Sequence, residues 1–596
     1  MKRFAAGIGF VLVGMMLGEG PVKAQAPPPA NAKTDAGAQL DTTSQPKRTE
    51  PIRSTTRLVQ VSVVVTDKKG EPISGLKKEE FTVLDENKPQ EIAFFTAEVA
   101  APARATPPAL PPNVFTNRFD LKGQDPGAVT VVLFDSLNTS VQDQSYVRGQ
   151  VIKFLKNLKP QDHVAVYGLT TELLLLHEFT QDASSLVEAA SQFRPKEQAL
   201  YNASNPDYFN VPAMIDAHSM WQRFQDAVNQ TDARIADQYK MRRAEMTANA
   251  MEAIANHVAT IPGRKNLVWV SGSFPLSILV EAFGLADRDN ETTGGYATEA
   301  AQALNRVNMA IYPVDASGVV TNGGMDPSRN GDSLSDPNAI QYCADCVSKA
   351  PGNSPGMLDR QNMRDSERML ADATGGLAFY GSNDISAAMK RAFDDGRYAY
   401  TMGFYPAHRD WNGRFRKIKV QLKMAGVQLR YRNGYVAEPD HTDSETQAKA
   451  DLQHAAMSPL DATRLGMIVS AKCSGPASER SLELHVGLDP KQLRLQSVEQ
   501  HEKGAVDLYF VQRNDQGETV SAESQRIGLN LEEKQYEYLA KAGLVLARHV
   551  TIAPDATDLR VLVRDAGSQA LGSVTVPVKT LLAGEQVAPA KLGVPK

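Results

Sequence analysis

The pattern of hydrophobic and polar positions changes character three times along the chain. Residues 57–96 carry short β-type runs: Gln60-Val61-Ser62-Val63-Val64-Val65, Phe81-Thr82-Val83-Leu84 and Ile92-Ala93-Phe94-Phe95. Asp67-Lys68-Lys69-Gly70 reads as a hairpin turn in which glycine supplies a positive φ. From residue 128 strands alternate with helices. Residues 129–134 are a continuous apolar run ending in Asp135, as expected of a strand covered on both faces. Helical spacing over 143–158 puts Val147, Val151, Phe154, Leu155 and Leu158 on one face. Further strands are predicted at 163–169, 173–179, 266–271, 308–314, 377–380 and 398–405, and further helices at 182–193, 234–259, 296–306, 359–373 and 384–395. Such alternation predicts the α/β class, with a central doubly wound parallel sheet. Ligands of these sheets bind beyond the carboxyl ends of the strands, where Asp135, Thr170 and Ser271 stand.

After 405 the β period returns. Residues 413–436 read as a β-ribbon, and 460–585 as short alternating strands with Gly, Asp and Asn turns, which suggests a β-sandwich. The predicted organisation is a leader at 1–26, a disordered linker at 27–54, an N-terminal β module at 55–100 and an α/β domain at 128–405. A β-ribbon extension at 406–437, a linker at 438–459 and a C-terminal β-sandwich-like domain at 460–596 complete it. Residues 100–127 are a Pro-rich connector, and 196–230 and 317–357 are polar insertions in the α/β domain.

The leader assignment rests on Lys2-Arg3, the apolar run Phe4 to Gly18 and Ala24-Gln25-Ala26, which together make a secretory signal. The run is too short for a membrane span, which needs about 20 apolar residues. The expected location is therefore periplasmic or secreted, with no membrane span in the mature chain. Loss of Lys2, Arg3, Lys23 and Glu19 would move the formal charge from −5 to −7. That balance excludes a nucleic-acid partner held by bulk positive charge. At 596 residues the chain has room for about three to five domains, and its 42% hydrophobic content can bury their cores.

The strongest local signal for chemistry is residues 131–140, VVLFDSLNTS. It resembles the first metal-binding loop, D-x-S-x-S, of von Willebrand factor A (VWA) domains. Asp135 and Thr139 match the pattern, and Leu137 replaces its first Ser. Asn138 offers an amide oxygen from a different geometry. The family's later Thr corresponds to Thr231 or Thr247, and its final Asp to Ser271. The resemblance implies a weakened site for Mg²⁺ or another divalent cation at Asp135, Thr139, Thr247 and Ser271, with Asn138 and Thr170 beside it for binding. The alternative is that Asp135 and Thr139 cap the next helix or hold the loop by hydrogen bonds. In chain order, VSVVVTDKKGEPISGLKKEEFTVLDENKPQEIAFF, FDSLNT, PGRKNLVWVSGSFP, LADATGGLAFY, YAYTMGFYPAHRDWNGRFRKIKVQL and LRYRNGYVA are similar to the acidobacterial VWA-related family of exported proteins, over about residues 57–437. This implies protein–protein interaction or adhesion with another protein as partner.

Three cysteines cannot build a disulfide framework. In an exported chain Cys343 and Cys346 read best as a local disulfide, leaving Cys473 as a buried free thiol. Asp326 to Asp332 imitates the start of a calcium loop, but Pro337 stands where the bidentate Glu is needed. No G-x-S-x-G, H-E-x-x-H or G-x-x-x-x-G-K-[ST] occurs, so no enzyme is expected. The rival readings are an envelope hydrolase or thiol-redox enzyme, and a purely structural envelope component. Aromatic and basic residues interleave over 398–435, which suits either a packed ribbon or a groove for an acidic ligand or glycan.

Overall fold

The Val-rich run Val59–Thr66 forms β1, followed by β2 (Phe81–Asp85), β3 (Lys88–Gln90) and β4 (Ile92–Ala97). The predicted turn between β1 and β2 is present: Gly70 has φ +86° and donates to Asp67 O at 3.0 Å. These strands pair with four that come some 300 residues later: β11 (Ala399–Phe404), β12 (Phe415–Leu422), β13 (Gln428–Arg430) and β14 (Gly434–Val436). The two resulting sheets have orders β13-β1-β11-β4 and β14-β12-β2-β3. They share one core of Val61, Val63, Phe81, Val83, Tyr400, Met402, Phe404 and Ile418. The strand expected at 398–405 therefore leaves the α/β domain, and the 406–437 ribbon is half of this sandwich, not an extension. Alternation explains it: Tyr400, Met402 and Phe404 point into the β core, while antiparallel register pairs Val59 with Phe404. The computed structural model describes residues 58–97, 110–121, 128–159, 162–194, 200–201, 219–261, 263–274, 293–318, 355–408, 410–437, 452–474, 480–498, 500–578 and 581, all within one compact unit, Thr56–Lys596.

The α/β part is built on β6 (Val129–Asp135), β7 (His163–Leu169), β8 (Leu173–Thr180), β9 (Lys265–Ser271) and β10 (Met309–Asp315). Their order is β10-β9-β6-β7-β8. The first four strands are parallel, and β8 is antiparallel because it returns from β7 through a short hairpin. The sheet is thus mixed, where an all-parallel one was expected. All seven residues of β6, β9 and β10 are buried, since helices cover both faces. On one face Val131, Leu133, Trp269 and Ile311 pack on α3 (Ser219–His257), α4 (Thr293–Arg306) and α5 (Pro355–Thr374) through Met251, Ile254, Leu304 and Leu370. On the other, Val132, Phe134, Val268 and Tyr312 meet α1 (Val141–Leu155), α2 (Ala183–Gln192) and α6 (Ile385–Arg397) through Val151, Leu155, Leu186 and Phe393. The short strand expected at 377–380 is reduced to a single bridge between Phe379 and Val314.

The last part holds β15 (Met467–Ser474), β16 (Ser481–Leu488), β17 (Gln496–Val498), β18 (His501–Arg513), β19 (Thr519–Glu532), β20 (Leu544–Thr551), β21 (Asp558–Asp565) and β22 (Leu571–Pro577). Two sheets face each other across a core of Val469, Leu484, Val486, Leu508, Phe510, Val561 and Val574. One sheet is completed from the Pro-rich connector: β5 (Val114–Thr116) pairs with β15. Thr116 Oγ1 donates to Met467 O at 2.7 Å, and Asn117 Nδ2 donates to Ala462 O and Leu465 O. This part is fastened to α3. Thr463 donates from N to Asn256 O (3.0 Å) and from Oγ1 to His257 O (2.8 Å), and the His257 ring meets Asp461 O (2.8 Å) and Glu178 Oε1 (3.2 Å).

Candidate functional site

Asp135 ends β6 on the face that carries Val131 and Leu133, because side chains repeat every second residue along a strand. Its carboxylate therefore points toward α3 and not toward open solvent, and the residue is 2% exposed. Oδ1 accepts from Asn138 N–H at 2.9 Å. Oδ2 lies 2.7 Å from Asn138 Nδ2, 2.8 Å from Trp269 Nε1 and 2.9 Å from Ser271 Oγ. Trp269 and Ser271 reach it from β9 by the same two-residue period. In register across the sheet, Asp135 stands beside Ser271, and Ser271 beside Asp315.

Asn138 is fully buried and links the loop to α3. Its Nδ2 also donates to Thr247 Oγ1 at 2.9 Å, and its Oδ1 accepts from Arg243 Nε at 2.9 Å. Arg243 and Thr247 are one helical turn apart, so they share a face of α3, and Thr247 Oγ1 bonds back to Arg243 O at 2.8 Å. Arg243 Nη2 donates to Ser273 Oγ (2.9 Å), Ser273 Oγ donates to Asn138 O (2.9 Å), and the guanidinium lies 4.8 Å from the Tyr201 ring centroid. Thr139 Oγ1 donates to Asp135 O at 2.5 Å and accepts from Gly272 N–H at 2.9 Å. A Cβ on Gly272 would come within 3.2 Å of Thr139 Cα, so the loops after β6 and β9 touch backbone to backbone.

Burial pushes the Asp135 carboxyl above its ordinary range, and the donors from Asn138, Trp269 and Ser271 pull it back. Burial likewise lowers the Arg243 guanidinium, while Asp135 and Tyr201 raise it. Asp135 thus counters part of the desolvation of Arg243, and Asn138 is bonded to both.

The structure brings together five of the residues expected from the sequence: Asp135, Asn138, Thr139, Thr247 and Ser271. As arranged they do not fit the expected divalent cation. Mg²⁺ needs an octahedron of oxygens with room for water. Here both Asp135 oxygens and the hydroxyls of Thr139, Thr247 and Ser271 are occupied, the site is buried, and a guanidinium already supplies positive charge. The alternative role, in which Asp135 and Thr139 hold the loop, is the one the contacts match. Leu137 packs in the core, Thr231 is exposed, and Thr170 lies apart, its hydroxyl closing the β7–β8 hairpin on Glu172. Helix α1 is capped instead by Ser140, which accepts from Asp143 N–H. Cys343 and Cys346, the Asp326 loop and the leader lie outside the described residues. Cys473 is a free thiol and is half-buried, because it sits near the end of β15.

Arg243 and Trp269 went unread in the sequence. The signals were there: Arg243 precedes Thr247 by four positions in a helix, and Trp269 precedes Ser271 by two in a strand. A second acidic feature also went unread. Glu367 on α5 is 3% exposed, its Oε2 has no hydrogen-bond partner among the described residues, and burial with help from Asp315 pushes its carboxyl up to about 8 against the pull of Arg364.

No protein-family model matches the chain, and no curated protein matches it. Solved structures similar to it include an aerotolerance-related membrane protein from Bacteroides fragilis, at 10% identity over 45% of this chain and 98% of that one, with TM-score 0.22. The conserved hypothetical protein BatB from Bacteroides thetaiotaomicron is 12% identical over 45% of this chain and 97% of its own, with TM-score 0.20. The pilus adhesin SpaC from Lactobacillus rhamnosus GG is 9% identical over 76% of this chain and 54% of its own, with TM-score 0.26. At such scores the fold rests on the chain's own strand pairing and core.

Proposed function

We propose that the chain is an exported, non-catalytic interaction protein with a VWA-like α/β part, and that it docks another protein without a metal ion. The observation that supports this is the closed network around Asp135. The carboxylate that would hold a cation in the VWA pattern is bonded from Asn138, Trp269 and Ser271, and Arg243 sits behind Asn138. The network pins the loops after β6 and β9 to α3. A rigid loop loses little entropy on binding, so it favours association. Beside these loops Val141 is 65% exposed and Tyr146 42% exposed at the start of α1, an apolar contribution to the same edge.

The test is capture of envelope proteins by the full chain, with Mg²⁺ and with EDTA, beside Val141→Asp. The expected result is one partner retained equally in both buffers and lost with Val141→Asp. Loss of the partner in EDTA alone would restore the metal-dependent reading. Absence of any partner specific to the wild type would favour a structural envelope component.

A further inference from the structure

β19 pairs with β18 along its length, and among the described residues no strand pairs with its other edge. The ladder shows which groups face that edge. Ala505 O accepts from Ala566 N–H, so the odd residues of β18 turn their backbone groups toward β21. The even residues Val506 to Gln512 therefore face β19, where they meet the odd residues from Ile527 back to Ser521. The backbone N–H and C=O of Ala522, Ser524, Arg526, Gly528 and Asn530 are left pointing outward, and all five residues are exposed. Glu532, next in this series, turns its N–H to Gln535 Oε1 and not to β18.

An open edge is a template for another strand, and proteins blunt theirs with Lys, Pro, bulges or short length. β19 is 14 residues long and contains neither Lys nor Pro. Its one register shift lies at the far end, beside Gln512 and Arg513. Gly528 leaves the edge uncrowded, since a Cβ there would meet nothing within 4 Å.

The residues along the edge select the occupant. Consider a second β19 laid antiparallel to the first about a two-fold axis at Leu529. Gly528 then stands opposite Asn530 of the second copy, placed to exchange backbone bonds. Leu529 meets Leu529 and Ile527 meets Leu531 at the closer, non-hydrogen-bonded positions. Leu529 already belongs to the sandwich core and Ile527 packs on it, so the pairing extends that core across the junction. On the opposite face Arg526 meets Glu532 of the second copy. Arg526 engages Asp507 through Nε and Nη2, and its side chain is 64% exposed, which leaves Nη1 for a second carboxylate. Helix α7 (Glu533–Ala542) folds back onto the core of its own copy through Leu539. Each contact occurs twice, as a two-fold interface requires.

We propose that β19 is a self-association edge, at which a second copy of this chain adds its own β19 antiparallel about Leu529 and joins two C-terminal sandwiches through one continuous sheet. The edge is remote in sequence from the Asp135 loops, and its test reads self-association alone, so it stands or fails apart from the docking reading above.

The test is sedimentation velocity of the full chain over a concentration series. Wild type is expected to dimerise at concentrations on the order of 10 µM. Gly528→Pro removes an N–H that β18 does not use, so circular dichroism should show it folded, and its dimer dissociation constant should rise at least about tenfold. The register is read separately by oxidation and a non-reducing gel. The double variant Gly528→Cys/Asn530→Cys should give a disulfide-linked dimer, and neither single variant nor the wild type should. A wild type that stays monomeric up to about 100 µM would overturn the proposal. So would undiminished dimerisation of folded Gly528→Pro, or a double cysteine variant that gives no linked dimer.

Discussion

Arg243 Nε donates to Asn138 Oδ1 at 2.9 Å, while the Nδ2 of the same asparagine donates to Asp135 Oδ2 at 2.7 Å. One amide therefore joins a buried cation to a buried carboxylate. Asn138→Ala leaves both without it and is expected to cost about 3 kcal/mol, as is Arg243→Met. Because both act on one network, the double variant should cost clearly less than the two singles added. Urea denaturation of the four proteins measures this, and strict additivity would show that the amide does not couple them.

Divalent ions should not touch this network. Mg²⁺, Mn²⁺ or EDTA is expected to leave the wild-type Tm unchanged, since the Asp135 oxygens already accept from protein donors. A rise in Tm with Mg²⁺ that vanishes in Asp135→Asn would mean that the loops open to admit an ion.

Glu367 should make stability depend on pH. Its carboxyl is raised from 4.5 to about 8 by burial and by Asp315, with Arg364 opposing. The folded state therefore keeps a proton that the unfolded state releases. Its stabilising effect is complete below about 4.5 and is lost as pH rises toward 8, with a slope of roughly 1 kcal/mol per pH unit. Glu367→Gln should remove that slope while other titrations persist. Thermal melts of both proteins between pH 5 and pH 8 test the difference.

Thr463 fastens the last β part to the end of α3 by its N–H and its hydroxyl. Thr463→Val keeps shape and removes the hydroxyl, so it should cost about 1–2 kcal/mol and leave His257 O short of a donor. If this junction couples the parts, calorimetry of the variant should broaden or split a transition that is single in the wild type.

Much of the Asp135 cluster was legible because it obeys short-range rules. A buried strand running into Asp, then Asn and Thr, marks a loop at a sheet edge, and Ser271 ends the neighbouring strand. The choice between metal ligation and hydrogen bonding was not legible, because Arg243 decides it from 105 residues away. In sequence it is one of several basic residues on a mostly polar helix. Thr170 shows the opposite failure: it stands at a strand end, yet the hairpin uses its hydroxyl. In the fold, element types followed from periodicity, but partners did not. Nothing local distinguishes a strand that joins β9 or β6 from one that joins β1, and β11 went to β1 over a separation of more than 300 residues. Three-residue β5, within a Pro-rich stretch, has too little periodicity to register at all.

The placement of β5 and β11 bears on how the chain is made and cut. Val114–Thr116 completes a sheet whose other strands begin at Met467, and Ala399–Phe404 lies between β1 and β4. No single scission of the backbone separates the parts with every sheet whole. During synthesis β5 must wait for about 350 further residues before its partner exists. A protein truncated after the α/β part would carry a bare strand edge, so partial chains should be prone to aggregation, whereas a clipped but complete chain should stay assembled.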